Sequence, residues 1–124
     1  MTEPTAIDLA VFEELRDTAG ADFVAELVGT FLEEAPLLMA ELREARAAGV
    51  AQPRPTARIH SAPSFQRAAH SLKSNAHTFG GTELGGLARE LELGGLDSAS
   101  DQRLQALEAA YARAAAALKE LQHG

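Results

Sequence analysis

His70 and Lys73 stand three residues apart in the run Ala69-His70-Ser71-Leu72-Lys73-Ser74-Asn75-Ala76-His77-Thr78-Phe79-Gly80-Gly81. On a helix that spacing puts an imidazole and an ammonium on one face, a turn apart. An imidazole with the ordinary pKa of about 6.5 is substantially neutral at pH 7, and one ring nitrogen then keeps a lone pair able to attack phosphorus. An ammonium beside it offsets charge on phosphoryl oxygens, where phosphoryl transfer needs stabilisation most. Together the two residue types suggest covalent capture of a phosphoryl group. Gln66, Ser74 and His77 share the face, and the small side chains of Ala69 and Ser74 leave room for a bulky partner.

A nucleophile of this kind must be held by packing on one side and open on the other. Phe65, Ala69, Leu72, Ala76 and Phe79 recur at helical spacing and form the buried stripe of that helix, closed by Gly80-Gly81. His70 falls at the margin of the stripe. The helix is expected to begin near Ala62 to Ser64, with Ser61 or Ser64 as its cap. Thr82 is expected to cap the next helix, which turns Leu84, Leu87, Ala88 and Leu91 inward and ends at Gly94-Gly95. The two helices make a hairpin centred near Gly81, so residues equally distant from that centre face each other. Glu92 is thereby placed opposite His70. A carboxylate there accepts the N–H of one imidazole nitrogen, fixes the tautomer and leaves the other nitrogen as nucleophile. Glu92 shares its face with Gly85, Ala88 and Arg89, and an ordinary surface pair with Arg89 is the plainer alternative. Gly85 and Gly86 each cost about 1 kcal/mol in a helix relative to Ala, which suggests close approach of a helix or a partner.

The remaining elements are also helical. Thr5 and Asp8 are candidate caps for a short first helix with Leu9, Phe12 and Leu15 inward, ended by Gly20. Asp22 opens a long second helix whose seam is Val24, Val28, Phe31, Ala35, Leu38 and Leu42, widened by Phe23, Leu27, Leu32 and Met39. Pro36 lies within that seam and predicts a kink without a break, and Gly49 is the expected stop. Residues 50–63, with Pro53, Pro55 and Pro63, read as an irregular connection with at most a short helical turn from Thr56 to His60. The last helix starts at Ser100 and carries Leu104, Leu107, Tyr111, Ala114, Leu118 and Leu121. No stretch alternates with period two. The expected fold is all-α, an antiparallel up-down-up-down four-helix bundle with a short extra N-terminal helix, forming a single domain over residues 1–124.

Composition narrows the function. The formal charge of −7 disfavours nucleic acid and anionic membrane as main partners. Residues 51–82 contain no acidic side chain but hold Arg54, Arg58, Arg67 and Lys73, whereas residues 1–50 hold eleven acidic side chains against three basic. The positive window surrounds His70 and suits an anionic or acidic partner. Without cysteine there is neither a disulfide framework nor a thiolate metal site. His77 is about 10.5 Å along the helix from His70 at 1.5 Å per residue. Both therefore cannot bind one zinc ion directly, at bond lengths of about 2.1 Å. His60 and His123 add no metal-ligand spacing, and no metal site is expected. There is no glycine-rich phosphate loop and no acidic Mg²⁺ cluster, so autonomous catalysis is not expected. No apolar run reaches the ~18 residues of a membrane span, and no signal peptide is evident, so the expectation is a cytoplasmic protein.

The run from Ala69 through Phe79-Gly80-Gly81 to Leu84, continuing to Leu91-Glu92, resembles the histidine-containing phosphotransfer (HPt) domain of bacterial phosphorelays. Asp22-Phe23 to Leu42, including Phe31-Leu32-Glu33-Glu34-Ala35-Pro36, is similar to that family's second helix. The resemblance spans about residues 7 to 121. It implies a bundle whose exposed histidine, here His70, takes a phosphoryl group on its outer nitrogen from a receiver-domain aspartate (or a kinase) and passes it to a response-regulator receiver. It also implies that Lys73 lies near the phosphate, that Ser74 is the small residue after it, and that Glu92 orients the imidazole. The partners implied are receiver domains, a hybrid histidine kinase among them, engaging a monomer through a face with Gln66, Arg67, Ser74, His77, Gly85 and Arg89. No cofactor belongs to the chain, and Mg²⁺ is expected from the receiver. Asn75, where the family usually has Ser or Ala, and the proline-rich 50–63 segment depart from the pattern. A helical adaptor that is never phosphorylated, and the phosphoacceptor domain of a chemotaxis-type kinase, are the alternative readings.

Overall fold

The computed structural model describes residues 7–51, 55–96 and 99–123, and within these the side chains outside 49–62 and 122–123. Five helices follow in order: α1 (Leu9–Ala19), α2 (Ala21–Ala51), α3 (Pro55–Thr78), α4 (Thr82–Gly94) and α5 (Asp101–His123). Among the described residues there is no strand. The all-α bundle with a short N-terminal helix is therefore the observed architecture.

Side-chain contacts set the directions. Arg43 of α2 meets Asp101 and Glu108 near the start of α5, while Tyr111 further along α5 donates to the carbonyl of Leu32, earlier on α2. These two helices are thus antiparallel. The Phe31 ring lies 5.4 Å from that of Phe79 and 5.8 Å from that of Tyr111, so one aromatic cluster joins α2, α3 and α5. The start of α1 docks on the α3–α4 turn, and its Phe12 lines a small cavity with Val24 and Ala25 of α2 and Leu121 of α5, so α1 lies against the end of the bundle.

The core is the set of seams that periodicity predicts. Val24, Val28, Phe31, Ala35 and Leu42 of α2 are buried with Phe65, Ala69, Leu72, Ala76 and Phe79 around α3. Leu84, Ala88 and Leu91 of α4 and Leu104, Leu107, Ala114 and Leu118 of α5 complete it. Each large side chain among them contributes about 1.5–3 kcal/mol by leaving water. Leu38, Leu87, Tyr111 and Leu121 are only partly buried, packing at the edge.

Several boundaries differ from expectation. The largest difference concerns residues 50–63, expected to be an irregular connection. α2 runs past Gly49 to Ala51, and α3 starts at Pro55, well before the expected Ala62–Ser64, so neither Ser61 nor Ser64 is its cap. Pro55 occupies the first helical position, where a missing N–H costs nothing and the fixed φ suits the helix. Pro63 lies inside α3, as Pro36 lies inside α2, and each removes only its own bond to the carbonyl four residues back. Pro53 lies outside the described residues, as does Thr5. Asp8 does cap α1, accepting from the Ala10 N–H at 3.0 Å, and Gly20 ends it. Ser100 caps α5, its Oγ accepting from the Arg103 N–H. Gly81, not Thr82, is the N-cap of α4, and Thr82 is its first helical residue. Two residues assigned inward are exposed, Leu9 at 47% and Phe23 at 51%, each in the first turn of its helix.

The turn between α3 and α4 sets the site's register. Gly81 N–H donates to Ala76 O and Gly80 N–H to His77 O, the paired bonds of a Schellman ending, with Gly80 at φ +80°. A Cβ on Gly80 would stand 2.8 Å from the Asp8 carbonyl oxygen, and Gly80 O also accepts from the Asp8 N–H at 2.7 Å. Only glycine fits both the backbone angle and the docked end of α1.

Candidate functional site

α3 and α4 leave the Gly80-Gly81 turn side by side, and His70 and Glu92, each eleven residues from Gly81, come together. Nδ1 of His70 lies 2.7 Å from Oε2 of Glu92. The other carboxylate oxygen, Oε1, is 2.7 Å from the Lys73 ammonium. One carboxylate therefore joins both residues of the His-x-x-Lys pair, and the alternative pairing of Glu92 with Arg89 does not form. The His70 side chain is 60% exposed, against 24% for Lys73 and 23% for Glu92. The imidazole is thus held at Nδ1 while its side chain stays largely open to solvent, with Ala69 and Leu72 fully buried on either side of it in sequence.

A charged Glu92 favours one tautomer of the His70 ring. Hydrogen bonding from the Lys73 ammonium, aided by the bond to His70, holds the Glu92 carboxyl below the usual glutamate range, against the opposing effect of its partial burial. An ionised carboxylate only accepts, so the 2.7 Å contact requires a hydrogen on Nδ1. In the neutral ring, Nε2 is then the nitrogen with the free lone pair. Chemically, the arrangement is a nucleophile of fixed tautomer and restricted rotamer beside a cation, open on one side.

The other residues singled out in the sequence surround this centre. Gln66 is exposed; its amide reaches the Glu92 carbonyl only at 3.5 Å, a marginal hydrogen bond. Arg67, Ser74 and Arg89 are exposed, and the Ser74 carbonyl accepts from the Thr78 hydroxyl at 3.0 Å. His77 is exposed but lies flat on α4: a Cβ built on Gly85 would stand 2.7 Å from its ring. Gly85 is accordingly buried beneath His77, and it accounts for the close approach suspected of the glycine pair. A Cβ on Gly86 would meet nothing within 4 Å. Leu93, next to Glu92, is 71% exposed. Among the described residues no group of three or more His, Asp or Glu side chains is placed to hold a metal, and no helix is long and apolar enough to cross a membrane.

The bond between Lys73 and Glu92 is the feature that sequence reasoning missed. The hairpin register carries the signal, since Lys73 is one turn from His70 on the side that faces α4.

In comparison with protein families the chain matches the family described as Hpt domain over residues 26–123. Neither the curated proteins nor the solved structures returned a match. The matched span takes in α3, α4 and α5 whole, nearly all of α2, and with them His70, Lys73 and Glu92.

Proposed function

This chain belongs to the Hpt domain family of two-component phosphorelays, and we propose on that footing that His70 is its phosphoacceptor. A phosphotransfer role in two-component signalling follows from the family, whose members are phosphocarrier modules. The finer reading is that His70 takes the phosphoryl group from a receiver-domain aspartate, or from a kinase, and returns it to the aspartate of a response regulator. One observation carries it: Nδ1 is engaged by an ionised carboxylate at 2.7 Å while the rest of the ring is open to a partner.

In the forward step the Nε2 lone pair forms the N–P bond and the P–O bond of the aspartyl phosphate breaks, the carboxylate leaving with the bonding electrons. No proton has to depart. The ring keeps its Nδ1 hydrogen and gains positive charge, which Glu92 faces directly. Lys73 lies one turn from the incoming phosphoryl oxygens, on the same side as Glu92. The return step reverses these bonds. Mg²⁺ and the acceptor aspartate belong to the receiver in this reading, and the carrier supplies the nucleophile and its electrostatic surroundings.

Incubation with a ³²P-labelled receiver domain is expected to give a phosphoprotein stable in alkali and labile in acid. His70→Gln is expected to reduce labelling to background without changing the melting temperature, since the side chain is mostly exposed. Labelling of the variant at the wild-type level would refute the assignment. Full signalling by the same variant in cells would favour an adaptor that binds without phosphorylation.

A further inference from the structure

The outer side of α4 carries a leucine that nothing covers and a glycine that nothing within the fold requires. Leu93, at 71%, is the most exposed large apolar side chain among the described residues. Gly86 stands inside the helix, where glycine is disfavoured relative to alanine, yet a Cβ there would meet nothing within 4 Å. Its neighbour Gly85 is accounted for by the His77 ring, and Gly86 is not. Gly86 and Leu93 lie on one line, opposite the buried Leu84, Ala88 and Leu91. They are two turns apart, about 10.5 Å at 1.5 Å per residue. Between them, Arg89 and Glu90 are both exposed. Among the described residues neither forms an ion pair, whereas Glu83 is tied to Arg113 of α5 at 2.8 Å.

We propose that α4 pairs antiparallel with α4 of a second copy of this chain, about a twofold axis passing between Arg89 and Glu90. Residues equally distant from that axis then face each other. Leu93 of each copy lies over Gly86 of the other, an apolar knob on a position without a side chain. Arg89 of each copy meets Glu90 of the other. A twofold contact must be complementary to itself, because one surface supplies both sides. This line meets that condition twice, in shape and in charge. A parallel pairing would set Arg89 on Arg89 and Glu90 on Glu90, so the charges select the antiparallel register.

The pairing accounts for both oddities of the line. Gly86 lets the two backbones approach towards the near end of the usual interaxial range of about 8–10 Å. Leu93 then leaves water only when the second copy is present. α4 has 13 residues, so the contact is at the small end of protein interfaces. The dimer is accordingly expected to be weak, with a dissociation constant of roughly 0.1–1 mM. It departs from the monomer expected from the sequence. His70 lies on α3, outside the paired line, and the inference stands or falls independently of the phosphotransfer reading.

Sedimentation equilibrium of the full chain from about 20 µM to about 1 mM tests the proposal. The wild type is expected to rise from the monomer mass towards the dimer mass over this range. Leu93→Ser and Gly86→Gln are each expected to weaken association at least about tenfold, the first by removing the knob and the second by filling its seat. Arg89→Glu is expected to weaken it by a similar factor. Arg89→Glu/Glu90→Arg is expected to return it to within about threefold of wild type, because exchanging both charges in both copies restores the pairs. These positions lie on the outer side of α4, so circular dichroism at low concentration is expected to match wild type. A wild type that stays monomeric at about 1 mM would overturn the inference and leave this line to a different partner. Undiminished association of Leu93→Ser and Gly86→Gln would also defeat it, by placing the contact elsewhere, as would a double variant that associates no better than Arg89→Glu alone. The register has its own test, because the chain has no cysteine. When Gly86→Cys and Leu93→Cys copies are mixed under oxidation, the mixed disulfide is expected to form several-fold faster than either self-disulfide. Faster self-linking of Leu93→Cys would rule out the antiparallel pairing.

Discussion

Two of the charge clusters that tie helices together in this bundle are built in opposite ways. On the α2–α5 side a guanidinium is central: Arg43 reaches Glu108 at 2.6 and 2.7 Å and Asp101 at 2.9 Å. On the α3–α4 side a carboxylate is central, and Glu92 reaches His70 and Lys73 at 2.7 Å each. In the first cluster Arg43 donates to both carboxylates, and Asp101 also accepts from the Gln105 amide at 2.7 Å. Both carboxylates raise the Arg43 pKa, while Arg43 holds Glu108 below the usual glutamate range. In the second cluster the carboxylate holds Nδ1 of an imidazole whose side chain stays 60% exposed. A closed clamp and a cluster with an open imidazole thus use similar distances, and the difference is one ring nitrogen that the cluster does not engage.

The sharpest way to break this comparison is Glu92→Ala. It is expected to slow phosphoryl acceptance by roughly 10- to 100-fold, the usual cost of removing a group that orients a reacting one. The melting temperature is expected to stay within about 2 °C of wild type, because the cluster is open to solvent. Equal losses in both would make the second cluster a clamp like the first.

Arg43→Ala is expected to do the reverse. The side chain is 38% exposed and its ion pairs are screened, so the cost is about 1 kcal/mol, read as a fall of roughly 4 °C in thermal unfolding, with transfer unchanged. Its pH dependence follows from Glu108. A carboxyl held below its unfolded pKa stabilises the protein fully above that unfolded value, and the contribution is lost as pH falls through the depressed value. Wild type should therefore lose melting temperature more steeply than Arg43→Ala on acidification below about pH 4.3, the ordinary glutamate value. Parallel curves would remove the clamp from the stability of the bundle.

The smallest expected effect concerns the wall of α4 beside the reactive cluster. Gly86→Ala, with open space at its Cβ, is expected to stabilise by about 0.5–1 kcal/mol through helix propensity. Gly85→Ala is expected to forfeit that gain, because His77 must leave its place. Urea denaturation of both variants checks the pair, and His77→Ala combined with Gly85→Ala should recover the gain.

How far these arrangements were legible in the sequence depended on whether they were local. Phe65, Ala69, Leu72, Ala76 and Phe79 announce a buried stripe by spacing, and Gly80-Gly81 announces where the chain reverses. Those two readings together placed Glu92 opposite His70, and the 2.7 Å contact lies where that symmetry puts it. Proline misled, because Pro55 and Pro63 were weighed as breakers when one opens a helix and the other sits inside it. Phe23 misled because apolar spacing does not tell which flank a neighbour covers.

The sequence by itself determined the helices, their inward faces, the turn that pairs α3 with α4, and the identity of the imidazole and ammonium presented there. These follow from backbone geometry and the burial of apolar side chains, which act over one or two turns of chain. Tertiary structure alone decided that Lys73 reaches Glu92, that His77 covers Gly85, and that Arg43 closes on residues 58 and 65 positions away. Such contacts depend on side-chain rotamers across packed helices, where a turn's shift changes the partner. The proposed phosphoacceptor was written in the chain, and the ion pairs that surround it came only with the fold.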